Sequence, residues 1–437
     1  MALPPPMDPT MTQDAPLLPA DVDPCDDPGH GHRTLRLDEA REKILDAVRP
    51  VEGHDNVPLR ESLGRVLATP VLSTVDVPSH DNSAMDGYAL SGAELPAEGE
   101  RGFRVLGTSW AGRPFAGDIG AGECVRIMTG ATLPAGADTI VMQEHVRRDG
   151  ELACVTPGHK PGQHRRRAGE DIRAGDVAVP AGTLLGPAQL GLIASVGVGQ
   201  VEVFRRPRVA IFSTGDELTS IGEPLGEGQI YDSNRYSMYG MIRRLGLEVV
   251  DLGVVRDTRE ATRQAFEQAA AQADAIVTSG GVSVGEADFV VETLERAGQV
   301  GFWKVAMKPG KPIAFGRVAD ALFFGLPGNP VSSMVTFYQL VQPALQKLAG
   351  QAARDVPLLL KATCETKLKK KAGRLEFQRG ILAREADGSY TVRGASHQGA
   401  GVLRSMAEAN CFIVLPLDQE TVQPGTVVDI QPFAGLI

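Results

Sequence analysis

Three stretches between residues 208 and 333 place glycine beside hydroxyl or acidic residues where an apolar run ends. Residues 209–212 lead into Ser213-Thr214-Gly215-Asp216-Glu217, residues 275–278 into Ser279-Gly280-Gly281 and on to Asp288, and residues 322–325 into Leu326-Pro327-Gly328-Asn329-Pro330-Val331-Ser332-Ser333. In an open α/β sheet the carboxyl ends of the strands form the ligand crevice, and glycine lets backbone N–H groups come close to an anion. Between the second and third stretches lies Trp303-Lys304-Val305-Ala306-Met307-Lys308-Pro309-Gly310-Lys311-Pro312. Pro309 and Pro312 exclude a helix interior, so Lys304, Lys308 and Lys311 belong to a strand and loop that can surround phosphate oxygens. Asp86, Asp171, Asp216, Glu217, Asp257 and Asp288 stand at loop positions beside Gly or Arg. Hard oxygen donors near a phosphate suit magnesium, which takes one or two carboxylates plus substrate and water. Asp257, with Glu260 three residues on, also reads as the N-cap of a capping box, and Asp288 as a cap, and capping does not exclude metal binding. A phosphorylated ligand is the expectation.

The elements that must hold these residues alternate. The pattern predicts strands over 208–213, 248–255, 275–279 and 322–325 and helices near 233–245, 259–272, 288–297 and 331–347. That alternation gives right-handed crossovers and a largely parallel, doubly wound α/β domain. Met238, Met241, Ile242 and Leu245 make one apolar helical stripe, with Gly246 as its stop. Upstream, Thr34 reads as the N-cap of a helix whose buried face is Leu37, Ala40, Ile44, Ala47 and Val48, and residues 61–67 read as a second short helix. Residues 76–206 change to short β-type runs such as 103–106 and 124–128, with a helix-like stretch at 190–194. Beyond Gly350, apolar runs at 358–362, 376–382, 390–393, 411–415 and 426–431 suggest a small barrel.

A chain of 437 residues predicts about three domains. The formal charge of −10 argues against nucleic acid and anionic membranes as partners. Cys25, Cys124, Cys154, Cys364 and Cys411 form no CxxC pair, so neither a disulfide framework nor a zinc knuckle is expected, and a reducing cytoplasm fits. The first 33 residues, rich in Pro and Asp, lack the features of a signal peptide and read as a disordered tail, in which His30 and His32 carry no expected role. No apolar run reaches the roughly 20 residues a membrane helix needs.

The motif set resembles the molybdopterin molybdenumtransferases, the MoeA family, related to the E domain of gephyrin. The resemblance is carried by Asp81-Asn82-Ser83-Ala84-Met85-Asp86-Gly87-Tyr88-Ala89, Arg126-Ile127-Met128-Thr129-Gly130-Ala131 and Arg165-Arg166-Arg167-Ala168-Gly169-Glu170-Asp171-Ile172. It continues through Ser213-Thr214-Gly215-Asp216-Glu217-Leu218, residues 279–288, 304–312 and 326–330, Phe377-Gln378-Arg379-Gly380 and Asn410-Cys411-Phe412-Ile413-Val414-Leu415, so that it spans nearly everything from Thr34 onward. It implies an enzyme that takes adenylylated molybdopterin and molybdate, inserts molybdenum with Mg²⁺ and releases AMP. It implies a disordered tail over 1–33, a discontinuous N-terminal helical and extended module over 34–75 and 172–206, and a β-rich second domain over 76–171. A molybdopterin-binding α/β domain over 207–349 and a C-terminal β-barrel over 350–437 complete the chain. A cytoplasmic homodimer with a shared active cleft is implied, with a molybdopterin adenylyltransferase and molybdoenzyme-maturation proteins as partners.

Carried over by position, Asp86, Asp257 and Glu217 are the implied catalytic residues, and Asp257 and Asp288 the implied magnesium ligands. Thr129, Arg166 and Asp171 are implied substrate contacts from the second domain. Ser213, Gly280, Gly281, Lys304, Lys308, Lys311, Pro327, Gly328, Asn329, Pro330 and Ser332 are those of the central domain, and Arg379 reaches in from the barrel. Two departures stand out. Where family members commonly read His-Gln-Gly-Ser, this chain has His397-Gln398-Gly399-Ala400 and offers no hydroxyl there; Ser396, Ser405 or a backbone N–H are the available substitutes. The arginine run at 165–167 ends with Ala168 before Gly-Glu-Asp, which leaves its register open by one residue. A non-catalytic molybdopterin-binding scaffold is the alternative, and retention of Asp86, Glu217, Asp257 and Asp288 argues against it.

Overall fold

The computed structural model describes residues 34–280, 298–352 and 357–433; Gly281, Asp288 and the helix expected near 288–297 lie outside the described residues. The contacts divide the chain into two units, one of residues up to His54 and from Phe204 onward, the other Asp55–Val203.

In the first unit, the apolar run of strand β1 (Arg208–Thr214) is buried from Val209 to Thr214, as a central strand covered on both faces requires. It pairs in parallel with β2 (Glu248–Val255) and with β3 (Ala275–Ser279). An antiparallel hairpin of β4 (Gly298–Val305) and β5 (Pro312–Val318) extends the sheet through β6 (Ala321–Leu326), which is parallel to β3. The sheet order is thus β4-β5-β6-β3-β1-β2, with Thr34–Leu35 added parallel to β4 at the edge. The parallel half was legible in the alternation; the hairpin, broken by Gly, Pro and Lys, was not. Helices cover both faces. α2 (Ser233–Arg244) buries Met238, Met241 and Ile242 on one side. α3 (Arg259–Gln272) buries Phe266 on the other, edge-on to Phe212 at 5.2 Å and to Phe323 at 5.5 Å.

α1 (Leu37–Ala47) buries the expected face, Leu37, Ala40, Ile44 and Ala47, in the same core as α2. Its N-cap is Arg36 rather than Thr34: the Glu39 carboxylate accepts the Arg36 N–H at 2.8 Å, and Thr34 is taken by the strand pairing. α4 (Pro330–Thr336) continues through a π-type turn, Phe337–Val341, into a helix over Gln342–Leu348. Pro343 has no N–H to give the Gln339 carbonyl, and the Arg41 guanidinium donates to it instead at 3.0 Å.

The C-terminal strands β7 (Leu360–Cys364), β8 (Leu375–Arg384), β9 (Tyr390–Gly394), β10 (Cys411–Leu415) and β11 (Val427–Pro432) close into a five-stranded barrel in the order β8-β9-β7-β11-β10, with β10 returning to β8. Ala362, Val392, Cys411, Ile413, Val428 and Ile430 fill its interior. Between β4 and β5 the chain crosses onto this barrel: Met307–Lys308 pairs with β8, Lys308 opposite Glu376. That excursion puts the lysine segment where the sheet and the barrel meet.

The second unit holds a six-stranded sheet of Thr139–Met142, Gly87–Leu90, Glu123–Ile127, Arg101–Ser109, Leu152–Val155 and Val146–Asp149, in that order. All its pairs are antiparallel except that of 101–109 with 123–127. A separate core joins Leu67 and Val71 to Ile172, Val179, Ile193 and Val203, so the two flanks of the unit pack against each other. Residues 61–67 are not a helix; a single 3-10 turn, Leu59–Glu61, precedes Gly64 at φ +73°, a conformation that interrupts helical continuation. The helix expected around 190–194 is present as Pro187–Ser195.

Candidate active site

The glycine-bearing crossings after β1, β3 and β6 converge on a cavity of about 1520 Å³ that the barrel also lines. This exceeds the roughly 300–1,000 Å³ of common small-molecule pockets and has room for an extended ligand. Glu217, Gly280, Pro327, Gly328, Asn329, Pro330 and Ser332 line it from the α/β layer. Gly280 has φ +93°, and a Cβ there would lie 2.8 Å from the Thr214 carbonyl oxygen, so only glycine lets β1 and β3 end this close together. Its N–H donates to the Leu326 carbonyl at 3.2 Å, which ties the second crossing to the third. Asn234, in the first turn of α2, donates to Ser279 Oγ at 2.6 Å and to the Gly328 carbonyl at 2.7 Å and so fastens the same two crossings. Nothing in the spacing around Asn234 marks it; its role exists only once the strands are side by side.

Two expected contacts have other surroundings. Ser213 is fully buried and donates to Asp232 Oδ1 at 3.1 Å, while Asp232 caps α2 by accepting the Arg235 N–H at 3.1 Å. Lys304 is half-buried within β4, and neither Ser213 nor Lys304 lines the cavity. Lys308 and Lys311 do line it. The Lys308 ammonium lies 3.1 Å from the buried Glu376 carboxylate, whose other oxygen accepts from Gln378 at 3.0 Å.

Arg379, on β8, is 1% exposed and also lines the cavity. It donates to Ser405 Oγ at 3.1 Å and to the carbonyls of Gly399 at 3.1 Å and His397 at 3.4 Å, and no carboxylate pairs with it among the described residues. Burial pushes its pKa down to about 10, so it remains a cation at neutral pH. A buried guanidinium balanced only by carbonyl and hydroxyl dipoles is suited to take an anion. Ser405 is fully engaged, since its hydroxyl also donates to the Val402 carbonyl at 2.7 Å, so it does not replace the hydroxyl absent at Ala400. Ala400 and the exposed Ser396 both line the cavity.

Asp257 follows β2, and its N–H donates to Asp216 Oδ1 at 3.3 Å. It is not the helix cap: Thr258 holds that position, its hydroxyl accepting the Ala261 N–H at 3.3 Å. Thr and Asp are both strong capping residues, and the tertiary path of the chain selects the second of the two. The Asp257 carboxylate is therefore left out of the cap. Burial, then the charges of Asp216 and Glu217, raises its pKa. Among the described residues no three His, Cys, Asp or Glu side chains converge as a metal cage. Asp257, beside Asp216, presents a carboxylate oxygen of the hard kind that magnesium takes from protein.

In the second unit, considered by itself, Thr129 donates to the Asp86 carboxylate and holds its pKa below the usual carboxylate range. In the arginine run it is Arg165 that pairs with Asp81, which also accepts the Ala168 N–H at 2.8 Å. Arg166 and Arg167 are both exposed beside it, neither forms an ion pair with a carboxylate among the described residues, and Asp171 is likewise exposed. The described cysteines, Cys124, Cys154, Cys364 and Cys411, are buried and free, and burial pushes the thiols of Cys124 and Cys411 up to about 12, which rules them out as nucleophiles at neutral pH. No helix among the described residues is long and apolar enough to cross a membrane.

A doubly wound layer and a closed barrel that enclose one cation-lined cavity define a multidomain protein built to handle an anionic small molecule. Family models match three successive regions: the MoeA N-terminal region (domain I and II) over residues 35–197, a probable molybdopterin binding domain over 210–347, and the MoeA C-terminal region (domain IV) over 361–433. The chain is 44% identical over 405 residues to the molybdopterin molybdenumtransferase of Haemophilus influenzae, covering 92% of this chain and 100% of that protein. It is 39% identical to that of a Nostoc species, covering 83% and 85%. The crystal structure of the molybdopterin biosynthesis MoeA protein from Pyrococcus horikoshii OT3 superimposes with a TM-score of 0.77 at 28% identity, covering 92% of this chain and 100% of that one. The chain belongs to the molybdopterin molybdenumtransferase (MoeA) family, enzymes of molybdenum cofactor biosynthesis.

Proposed function

We propose that this enzyme transfers molybdenum from molybdate to adenylylated molybdopterin and releases AMP. The observation that carries this reading is the cavity itself, which Lys308, Lys311, the buried Arg379 and Glu217 line together with the glycine crossings. The phosphate groups of the substrate lie against the lysines and the N–H groups of the crossings, and the oxyanion against Arg379. Asp257 and Asp288 would hold magnesium, which would offset charge on the phosphoanhydride and help to place an oxygen nucleophile. That nucleophile, a molybdate oxygen or water, attacks the phosphorus on the molybdopterin side, the P–O bond to AMP breaks, and the lysines stabilise the charge that builds on the departing oxygen. The dithiolene sulfurs then bind molybdenum and displace one of its oxygens, which stays on phosphorus where it was the attacking atom and otherwise leaves as water with the thiol protons. Asp86, kept ionised by Thr129, acts with Arg166 and Asp171 from the second domain. A cytoplasmic homodimer with a shared cleft, supplied by a molybdopterin adenylyltransferase, completes the reading, with domain limits near 75/76, 171/172, 206/207 and 349/350.

The test is AMP release from adenylylated molybdopterin by the purified protein with magnesium, with and without molybdate, scored beside activation of an apo molybdoenzyme. Molybdate-dependent release with activation is the expected result. Tight binding without release overturns it in favour of a scaffold.

A further inference from the structure

The cavity has a second cationic wall that the glycine and lysine patterns did not reveal. After β7 and the exposed Glu365 the chain reads Thr366-Lys367-Leu368-Lys369-Lys370-Lys371-Ala372-Gly373-Arg374 before entering β8. Lys367, Leu368 and Lys369 all line the cavity; Lys367 and Lys369 are exposed, whereas the intervening Leu368 and the following Lys370 are buried, which is the two-residue alternation of an extended segment. The segment is firmly held. Leu368 exchanges backbone hydrogen bonds with Val422 at 3.0 and 2.9 Å, and the Gly373 N–H donates to the Leu417 carbonyl at 2.7 Å. The Lys370 ammonium is pinned by the carbonyls of Gln419 at 2.7 Å and of Leu417 and Lys371 at 3.4 Å. The Gln378 side chain donates to the Lys369 carbonyl at 3.0 Å and thereby links the segment to Glu376, the partner of Lys308.

Arg374 completes this wall. With Lys308, Lys311 and Arg379, six cations line the cavity against two carboxylates, Glu217 and Glu376, and Glu376 is already paired with Lys308. Among the described residues no carboxylate pairs with Lys367, Lys369 or Arg374. Like charges gathered in a walled cavity repel one another and focus a positive potential, which a multiply charged anion relieves.

We propose that Lys367, Lys369 and Arg374 form an anion subsite on the barrel, taking a tetrahedral oxyanion group that carries two or more negative charges. Two sources share that chemistry, the phosphates of the adenylylated substrate and free molybdate. The subsite's charge preference stands on the cavity alone; only the identity of its natural ligand rests on the proposed reaction.

Titration calorimetry on the full chain with inorganic pyrophosphate and, separately, molybdate tests this. The K367Q/K369Q variant should weaken one of the two by about tenfold or more and flatten its dependence on salt, as loss of charge-assisted contacts requires. Loss for pyrophosphate assigns the subsite to the phosphate arm, and loss for molybdate alone assigns it to the free oxyanion. K367R/K369R should restore binding. K371Q removes an equal charge from the same loop at an exposed residue outside the cavity lining, and should stay within about twofold of wild type. Unchanged binding of both anions by K367Q/K369Q, or an equal loss in K371Q, overturns the proposal. Because binding is read without turnover, absent AMP release with intact anion binding would count against the proposed reaction and leave the subsite standing.

Discussion

Thr129 donates both its backbone N–H, at 2.7 Å, and its hydroxyl, at 2.8 Å, to the same oxygen of Asp86. Two donors on one oxygen favour the ionised carboxylate and fix its orientation, although the residue is open to water. If Asp86 works as a carboxylate in the reaction, D86N should lower kcat by about 10²–10⁴-fold with the fold intact. T129V keeps the backbone donor and loses the hydroxyl. Its kcat should fall less, and the acid limb of its pH–rate profile should move to higher pH, because Asp86 then protonates more readily. An acid limb that stays in place in T129V would separate Asp86 from the rate.

Asp257 is the opposite case, a carboxyl whose pKa is raised by burial and by Asp216 and Glu217. A raised folded-state pKa means that the group's contribution to stability is fully present below its unfolded pKa, where it is protonated, and is lost as pH rises through the folded value. At about pH 7.5 without divalent ions the charged cluster therefore opposes folding. D257N should raise Tm there and give no gain below the ordinary carboxylate range. Magnesium should raise the Tm of wild type and not of D257N, measured by thermal unfolding. An equal magnesium shift in both proteins would remove Asp257 from the metal site.

How far the sequence went depends on the kind of force that sets each element. β1 and β10 were legible because they are unbroken apolar runs, and the α2 face because Met238, Met241 and Ile242 repeat at helical spacing. The cap of α3 moved by one residue because Asp257 and Thr258 are nearly equal as caps and tertiary path decides between them. Asn234 and the 366–374 segment were not legible at all. An asparagine near a helix start and a run of lysines look like solvated surface until the strands and the barrel bring them to one cavity. Of the central-domain residues singled out, Glu217, Gly280, Lys308, Lys311 and 327–330 meet at that cavity, while Ser213 is spent on Asp232.

Ala400 offers a gain-of-function test. Its carbonyl already accepts the Val331 N–H at 3.0 Å, which fixes its backbone and is independent of its side chain, and it lines the cavity beside the loop that holds Arg379. A400S adds a hydroxyl at little steric cost. Molybdate should bind several-fold tighter, on the order of one added hydrogen bond to a charged group. Calorimetry that shows no tightening would mean that backbone donors and Arg379 already satisfy the oxyanion.

Gly280 and Gly222 separate backbone strain from close approach. Both have positive φ, +93° and +91°, so alanine at either should cost roughly 1–2 kcal/mol for the left-handed conformation. Around Gly222 a Cβ meets nothing within 4 Å, whereas at Gly280 it meets the Thr214 carbonyl at 2.8 Å, a backbone atom in the central strand β1. G280A should therefore lose more stability than G222A in urea unfolding, by about 1 kcal/mol or more, since the strand end must shift to admit the methyl. It should also weaken pyrophosphate binding, because the Gly280 N–H, held to the Leu326 carbonyl, keeps the second and third crossings together. If the two variants lose equal stability and bind pyrophosphate alike, the closeness of β1 and β3 at this point does not shape the cavity.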